Sequence, residues 1–193
     1  MSPNRPLRAD AARNRDRLLR AAADLFGERG LDAPLEEIAR RAGVSIGTLY
    51  NHFPTRDHLQ NALLPERLAG LDRIAADALE DADAWRGFVA FLDGLFALHA
   101  EDRGLNDALA GRVPISPELT EACHRTAATV ERLLTRAHRS GQLRDDFGMD
   151  DFAALVHAMS QVTREQVTRD PAGTAWRRHL AFFLDGLRVP TDR

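Results

Sequence analysis

Residues 47–53, Gly-Thr-Leu-Tyr-Asn-His-Phe, carry the side chains best suited to chemistry with another molecule. Leu49 and Phe53 stand four apart and mark one apolar helix face. That leaves Gly47, Thr48, Tyr50, Asn51 and His52 outside: hydroxyls, an amide and an imidazole, all able to hydrogen-bond. Small residues at the start of such a helix let its backbone approach a surface, and an asparagine can bond an adenine edge. A helix that enters the DNA major groove by its N-terminal end has these needs. Nothing comparable points to catalysis. The chain has no Gly-rich phosphate loop, no Gly-x-Ser-x-Gly elbow and no His-Glu-x-x-His. Its seven histidines are scattered, with none four residues from another. No catalytic residue, metal site or cofactor is expected.

The elements that must position this helix are legible just before it. Leu35, Ile38, Ala39 and Ala42 recur at i, i+3, i+4 and i+7, one face of a short helix. Pro34 suits a helix start, where its missing N–H costs nothing. Gly43 stops that helix by taking a positive φ, and Val44 plugs the corner. Ser45 caps the second helix by accepting a bond from its first turn. Residues 34–53 therefore read as a helix-turn-helix. Before it, Leu18, Ala22, Leu25 and Phe26 form the core face of a helix over about 11–29, ended by Gly30. Residues 1–10, with Pro3 and Pro6, read as a mobile arm.

The motif is more specific than its geometry. Ile38, Ala39, Ala42, Gly43, Val44, Ser45, Gly47, Thr48, Leu49, Tyr50, His52 and Phe53 match Ile-Ala-x-x-Ala-Gly-Val-Ser-x-Gly-Thr-Leu-Tyr-x-His-Phe. This closely resembles the signature of the TetR family, the tetracycline-repressor type of bacterial regulators. The resemblance extends to residues 21–30 upstream and 55–59 downstream. It implies an all-α protein: a flexible basic arm (1–10), a three-helix DNA-binding head (11–58) and a larger helical ligand-binding and dimerisation body (59–193). It places Tyr50, His52 and Arg56 on DNA phosphates, and Gly47 and Thr48 where the backbone nears the groove. Ser45 and Asn51 complete the expected DNA-binding set. The resemblance further implies a cytoplasmic homodimer on palindromic double-stranded DNA. Such a dimer acts as a repressor released by a small-molecule effector. An activator or ligand-independent DNA-binding protein is the alternative. An enzyme or small-molecule carrier on the same body is a further one, which would need a catalytic constellation.

Composition agrees with a globular chain able to bury a core: 44% hydrophobic, 28% charged. No apolar run approaches the 18 residues of a membrane span, and no apolar signal region opens the chain, so neither membrane insertion nor export is expected. A single cysteine excludes an internal disulfide. The net charge of −3 hides an asymmetry, with six Arg against two Asp in residues 1–20 and 16 Arg against 21 acids in residues 59–193. A basic end on an acidic body suits a DNA-binding head. Every basic residue is arginine, which reads as a compositional bias.

Past the head, Thr55 caps a long helix to about residue 82, with Pro65 inside it and a kink expected there. A helix over about 84–100 is apolar nearly all round and so buried. Residues 101–115 have room for one short helix at most. Ser116-Pro117-Glu118 reads as a cap, followed by helices to about 139, over 149–168 and over 174–187, with a break at 171–173; the total is about nine helices. In this body Trp85, Phe88, Phe96, His99, Cys123, His124, Met159 and Gln161 are the expected ligand-pocket residues. Trp176, Phe183 and Leu187 are the expected dimer seam, with Leu180 and Leu184 turned toward the body.

Overall fold

The computed structural model describes residues 5–109, 117–166 and 174–190, and among these every regular element is an α-helix. In order they are α1 (Arg5–Arg29), α2 (Leu35–Ala42), α3 (Ile46–His52), α4 (Arg56–Glu80), α5 (Ala84–Glu101), α6 (Arg103–Leu109), α7 (Pro117–Arg139), α8 (Met149–Gln166) and α9 (Trp176–Leu187). No helix among the described residues is long and apolar enough to cross a membrane. The expected Ser116 cap and the break at 171–173 lie outside the described residues, as do the side chains of Leu64, Leu119, Ala122 and Cys123.

The head forms as its local chemistry dictates. Leu18, Ala22, Leu25 and Phe26 of α1 are buried against Leu35, Ile38, Ala39 and Ala42 of α2. Gly43 ends α2 at φ 66°, and the Ser45 hydroxyl accepts from Thr48 N. Leu49 and Phe53 seal α3 onto that core. One expectation is corrected. The arm assigned to residues 1–10 is helical from Arg5 onward. Pro6 sits in the first turn, where an N–H has no intrahelical partner to lose.

Thr55 caps α4 as expected, accepting from His58 N, and the helix runs through Pro65 to Glu80 without interruption. It packs most heavily on α5 and α7. At its far end Arg136 of α7 donates to the carbonyls of Leu79 and Asp81. Those acceptors belong to a helix end that lacks intrahelical donors. Helix α5 is the body's spine, with Phe88, Phe91, Leu92 and Phe96 fully enclosed. Asp83 caps it by accepting from Arg86 N.

Helix α6 forms despite Gly104 because it is pressed onto α1: a Cβ at that glycine would lie 3.1 Å from Phe26 Cβ. Side chains on α4 and α6 tie this contact. Asp107 Oδ2 accepts from Leu31 N at 3.0 Å. Arg67 of α4 donates to Ala23 O at 2.7 Å and pairs with Asp102 Oδ1 at 3.0 Å. Asp102 in turn accepts from Leu105 N in the first turn of α6. Elsewhere the α7–α8 turn bridges the end of α9, with Arg144 N on Leu187 O at 3.1 Å and Val189 N on Gln142 O at 2.9 Å.

Candidate nucleic-acid interface and body cavity

Helix α3 presents one continuous outer face. Ser45, Gly47, Tyr50 and Asn51 are exposed, and Thr48 and His52 are half-buried. Tyr50 keeps 46% of its surface, high for a tyrosine beside a buried Leu49. The capping bond from Thr48 N to Ser45 Oγ, at 3.1 Å, and the 2.9 Å contact between the two hydroxyls fix the N-terminal end of that face. Gly43 Cα is overlaid by Arg17 of α1, whose guanidinium donates to Gly43 O at 3.2 Å. Arg15, also on α1, lies over the Phe53 ring at 5.4 Å. The basic start of α1 is thus held against the helix-turn-helix.

Arg56 has a job that its place after His-Phe did not reveal. Its Nη1 donates to Leu31 O and Ala33 O, both at 2.7 Å. Gln60 Nε2 adds a third bond, to Leu31 O at 3.0 Å. These carbonyls belong to the α1–α2 corner, so α4 grips the head through its first turn. Charged hydrogen bonds of this kind contribute about 1.5–3 kcal/mol. Arg56→Ala should therefore lower stability to urea by about 1–3 kcal/mol. A purely phosphate-binding Arg56 would instead leave stability unchanged and lower the salt slope of DNA binding by about one unit. Arg41 and Arg40 are likewise engaged: Arg41 with Glu28 at 2.8 Å and Arg40 with Glu37 at 3.3 Å. The Arg41 pair holds the Glu28 carboxyl below its usual range, chiefly by hydrogen bonding.

In the body, a cleft of about 230 Å³ opens where α4, α5, α7 and α8 converge. Leu68, Leu71, Phe91, Leu95, Val130 and Phe152 are among its walls. Of the eight residues expected in the pocket, Cys123 lies outside the described side chains and none of the other seven lines it. Trp85 and Phe88 pack on each other at the start of α5, 5.8 Å between centroids. Phe96 is enclosed by His99 and Trp176, at 5.5 and 6.3 Å. Met159 is fully buried, His124 is exposed and Gln161 is half-buried. Sequence reasoning missed Phe91 and Leu95 because on a helix apolar nearly all round only the neighbouring helices decide which residues face a gap, and Phe152 because its apolar face on α8 does not tell cavity from core.

His99 is 1% exposed, and neither ring nitrogen has a hydrogen-bond partner among the described residues. Burial pushes its pKa down to about 4. The expected seam also divides. Trp176 and Leu187 are buried within the chain, at 2% and 9% exposure, whereas Phe183 and its neighbour Phe182 are 41% and 61% exposed. Leu180 is turned inward as expected.

Comparison with known proteins then decides the family. Residues 18–63 match the profile of bacterial regulatory proteins of the tetR family. Residues 83–189, more than half of the chain, match the C-terminal domain of SbtR-like transcriptional regulators. The chain belongs to the TetR family of helix-turn-helix transcriptional regulators. A TetR transcription regulatory protein from Mycobacterium vanbaalenii is 36% identical, with 95% of this chain and 100% of that one covered and a TM-score of 0.53. An uncharacterized HTH-type transcriptional regulator of Mycobacterium bovis, Mb2274c, is 33% identical over 137 residues, 70% of this chain and 72% of its own length. The HTH-type transcriptional repressor KstR2 of Mycolicibacterium smegmatis is 38% identical over 69 residues. That match spans 35% of this chain and only a third (33%) of the repressor's length.

Proposed function

We propose that this TetR-family regulator is a homodimeric repressor, with residues 11–58 as DNA-binding head and 59–193 as ligand-binding and dimerisation body. The observation that carries this reading is α4. Its first turn grips the α1–α2 corner through Arg56 and Gln60, and its middle supplies Leu68 and Leu71 to the body cleft. A small molecule in that cleft touches the helix that holds the head. Such an effector shifts DNA binding only by its differential affinity for two head positions. The exposed Phe182 and Phe183 of α9 are the apolar surface left for a partner copy.

On DNA, Tyr50 and His52 contact phosphates, Asn51 and Thr48 read base edges, and Gly47 allows close approach. A two-fold dimer demands a palindromic operator with half-sites about 34–36 Å apart or a multiple of that. The test is to sequence DNA fragments that co-purify with the protein and to measure binding to the enriched site. Tyr50→Ala should weaken binding to every sequence alike, because phosphate contacts carry no base information. Asn51→Ala should cost about 1–3 kcal/mol at one base pair and relax preference there. Fragments without a shared inverted repeat would remove the dimeric-repressor reading.

A further inference from the structure

We propose that Ile46 reads thymine: in each operator half-site its side chain packs on the 5-methyl group of one thymine in the major groove. This rests on the reading that the outer face of α3 meets that groove. Ile46 stands at the open position of Val-Ser-x-Gly-Thr, so the family motif does not account for it. The residue is the first of α3 and is 36% exposed. It belongs neither to the hydrophobic core of the described residues nor to the hydrophobics packed against that core. One exposed isoleucine by itself needs no explanation. Ile46 has company, however. Of the large hydrophobics exposed among the described residues, Ile46 and Tyr50 share this seven-residue helix, and the rest, Phe182, Phe183 and Val189, lie on or just after α9. Four residues apart, Ile46 and Tyr50 stand one above the other on one helix face.

Gly47 opens the space beside it. Its backbone is helical, without the positive φ of Gly30, Gly43 and Gly141. A Cβ there would meet only Ser45 Oγ, at 3.8 Å. Neither conformation nor packing within the chain calls for glycine, which weakens a helix. What the missing side chain leaves is room next to Ile46 for the edge of another molecule. The hydroxyls on either side are turned to the chain: Ser45 Oγ accepts from Thr48 N and lies 2.9 Å from Thr48 Oγ1. The group left to meet that edge is a branched alkyl. On the major-groove edges of the base pairs the thymine 5-methyl is the one apolar group, and the others are hydrogen-bond donors and acceptors. An alkyl group pressed on guanine O6 or N7, or on cytosine N4, strips water and returns no bond. Pressed on the methyl, it buries two apolar surfaces together. Ile46 therefore favours thymine and disfavours a G·C pair at the same place.

The test uses the full chain and the duplex enriched by co-purification, with its thymines replaced one at a time by deoxyuridine, which pairs alike and lacks only the 5-methyl. One thymine in each half-site should bind roughly fourfold more weakly on replacement, the worth of one buried methyl, and roughly 15-fold when both half-sites are changed. Ile46→Ala should bind the unmodified duplex about as weakly as the parent binds the doubly replaced one, and should lose the deoxyuridine effect at that thymine alone. Deoxyuridine effects that are the same in the parent and in Ile46→Ala overturn the proposal. So does their absence from every position, or the loss of all operator binding in Ile46→Ala, an effect too large for a methyl contact. A parent that enriches no sequence removes the operator reading before any thymine is replaced, and the proposal with it. An enriched inverted repeat with no Ile46-dependent thymine sinks only the proposal.

Discussion

Truncating Trp176 to alanine should lower the unfolding free energy by about 3–5 kcal/mol, the cost of a cavity where a buried indole stood. The side chain is 2% exposed, packs on Phe96 and lies under the Arg177 guanidinium at 4.6 Å. Phe183→Ala, on the exposed side of the same helix, should change the stability of an isolated protomer by no more than about 0.5 kcal/mol. It should weaken self-association instead. Urea unfolding at several protein concentrations, with sedimentation alongside, separates the two effects, because only an association-linked transition moves with concentration. Trp176 would return to the seam if its truncation left the dilute protein equally stable yet dissociated concentrated samples.

Between pH 7 and pH 5 the protein should lose about 2 kcal/mol of stability through His99 alone. Burial holds the folded imidazole near pKa 4, against 6.5 for an unperturbed histidine. The folded state therefore disfavours the proton that the unfolded chain accepts. The stabilising difference is fully present above the unfolded pKa and disappears as pH falls from there toward 4. Glu28, Asp81 and Asp146 are held low by bonds from Arg41, Arg86 and Arg144, and their losses come in a lower, carboxylate window. His99→Phe, or His99→Leu where a ring overfills the site, should flatten the curve between pH 7 and 5. An unchanged acid slope in both variants would show that another group carries it.

The parts of the molecule that were legible in the sequence are those set by near neighbours in the chain. Gly43, Ser45 and Thr55 each punctuate a helix by a bond spanning three or four residues, and each does so in the structure. The outer face of α3 followed from Leu49 and Phe53 alone. What escaped was decided across space. Helix α9 has large apolar residues on two sides, and Trp176 and Phe183 look alike until the position of Phe96 is known. Helix α5 is apolar nearly all round, so Phe88 and Phe91 differ only in which helices stand opposite. Arg56 matched a DNA-contact position by motif, while the carbonyls that bind it come from residues 31 and 33. Pro6 looked like a breaker, yet the first turn of a helix is where proline costs least.

The ties among α1, α4 and α6 close into a triangle. Arg56 and Gln60 join α4 to the α1–α2 corner, Asp107 joins α6 to that same corner, and Arg67 joins α4 to both α1 and the start of α6. A triangulated truss does not shear by bending its joints; one member must let go. Sliding α4 against α6 while the corner stays whole is therefore blocked, and the corner can follow only one of them once a tie is broken. In the proposed repressor, reorientation of the head would then be a step between discrete arrangements, with a threshold set by the weakest member, in place of a graded tilt proportional to the push.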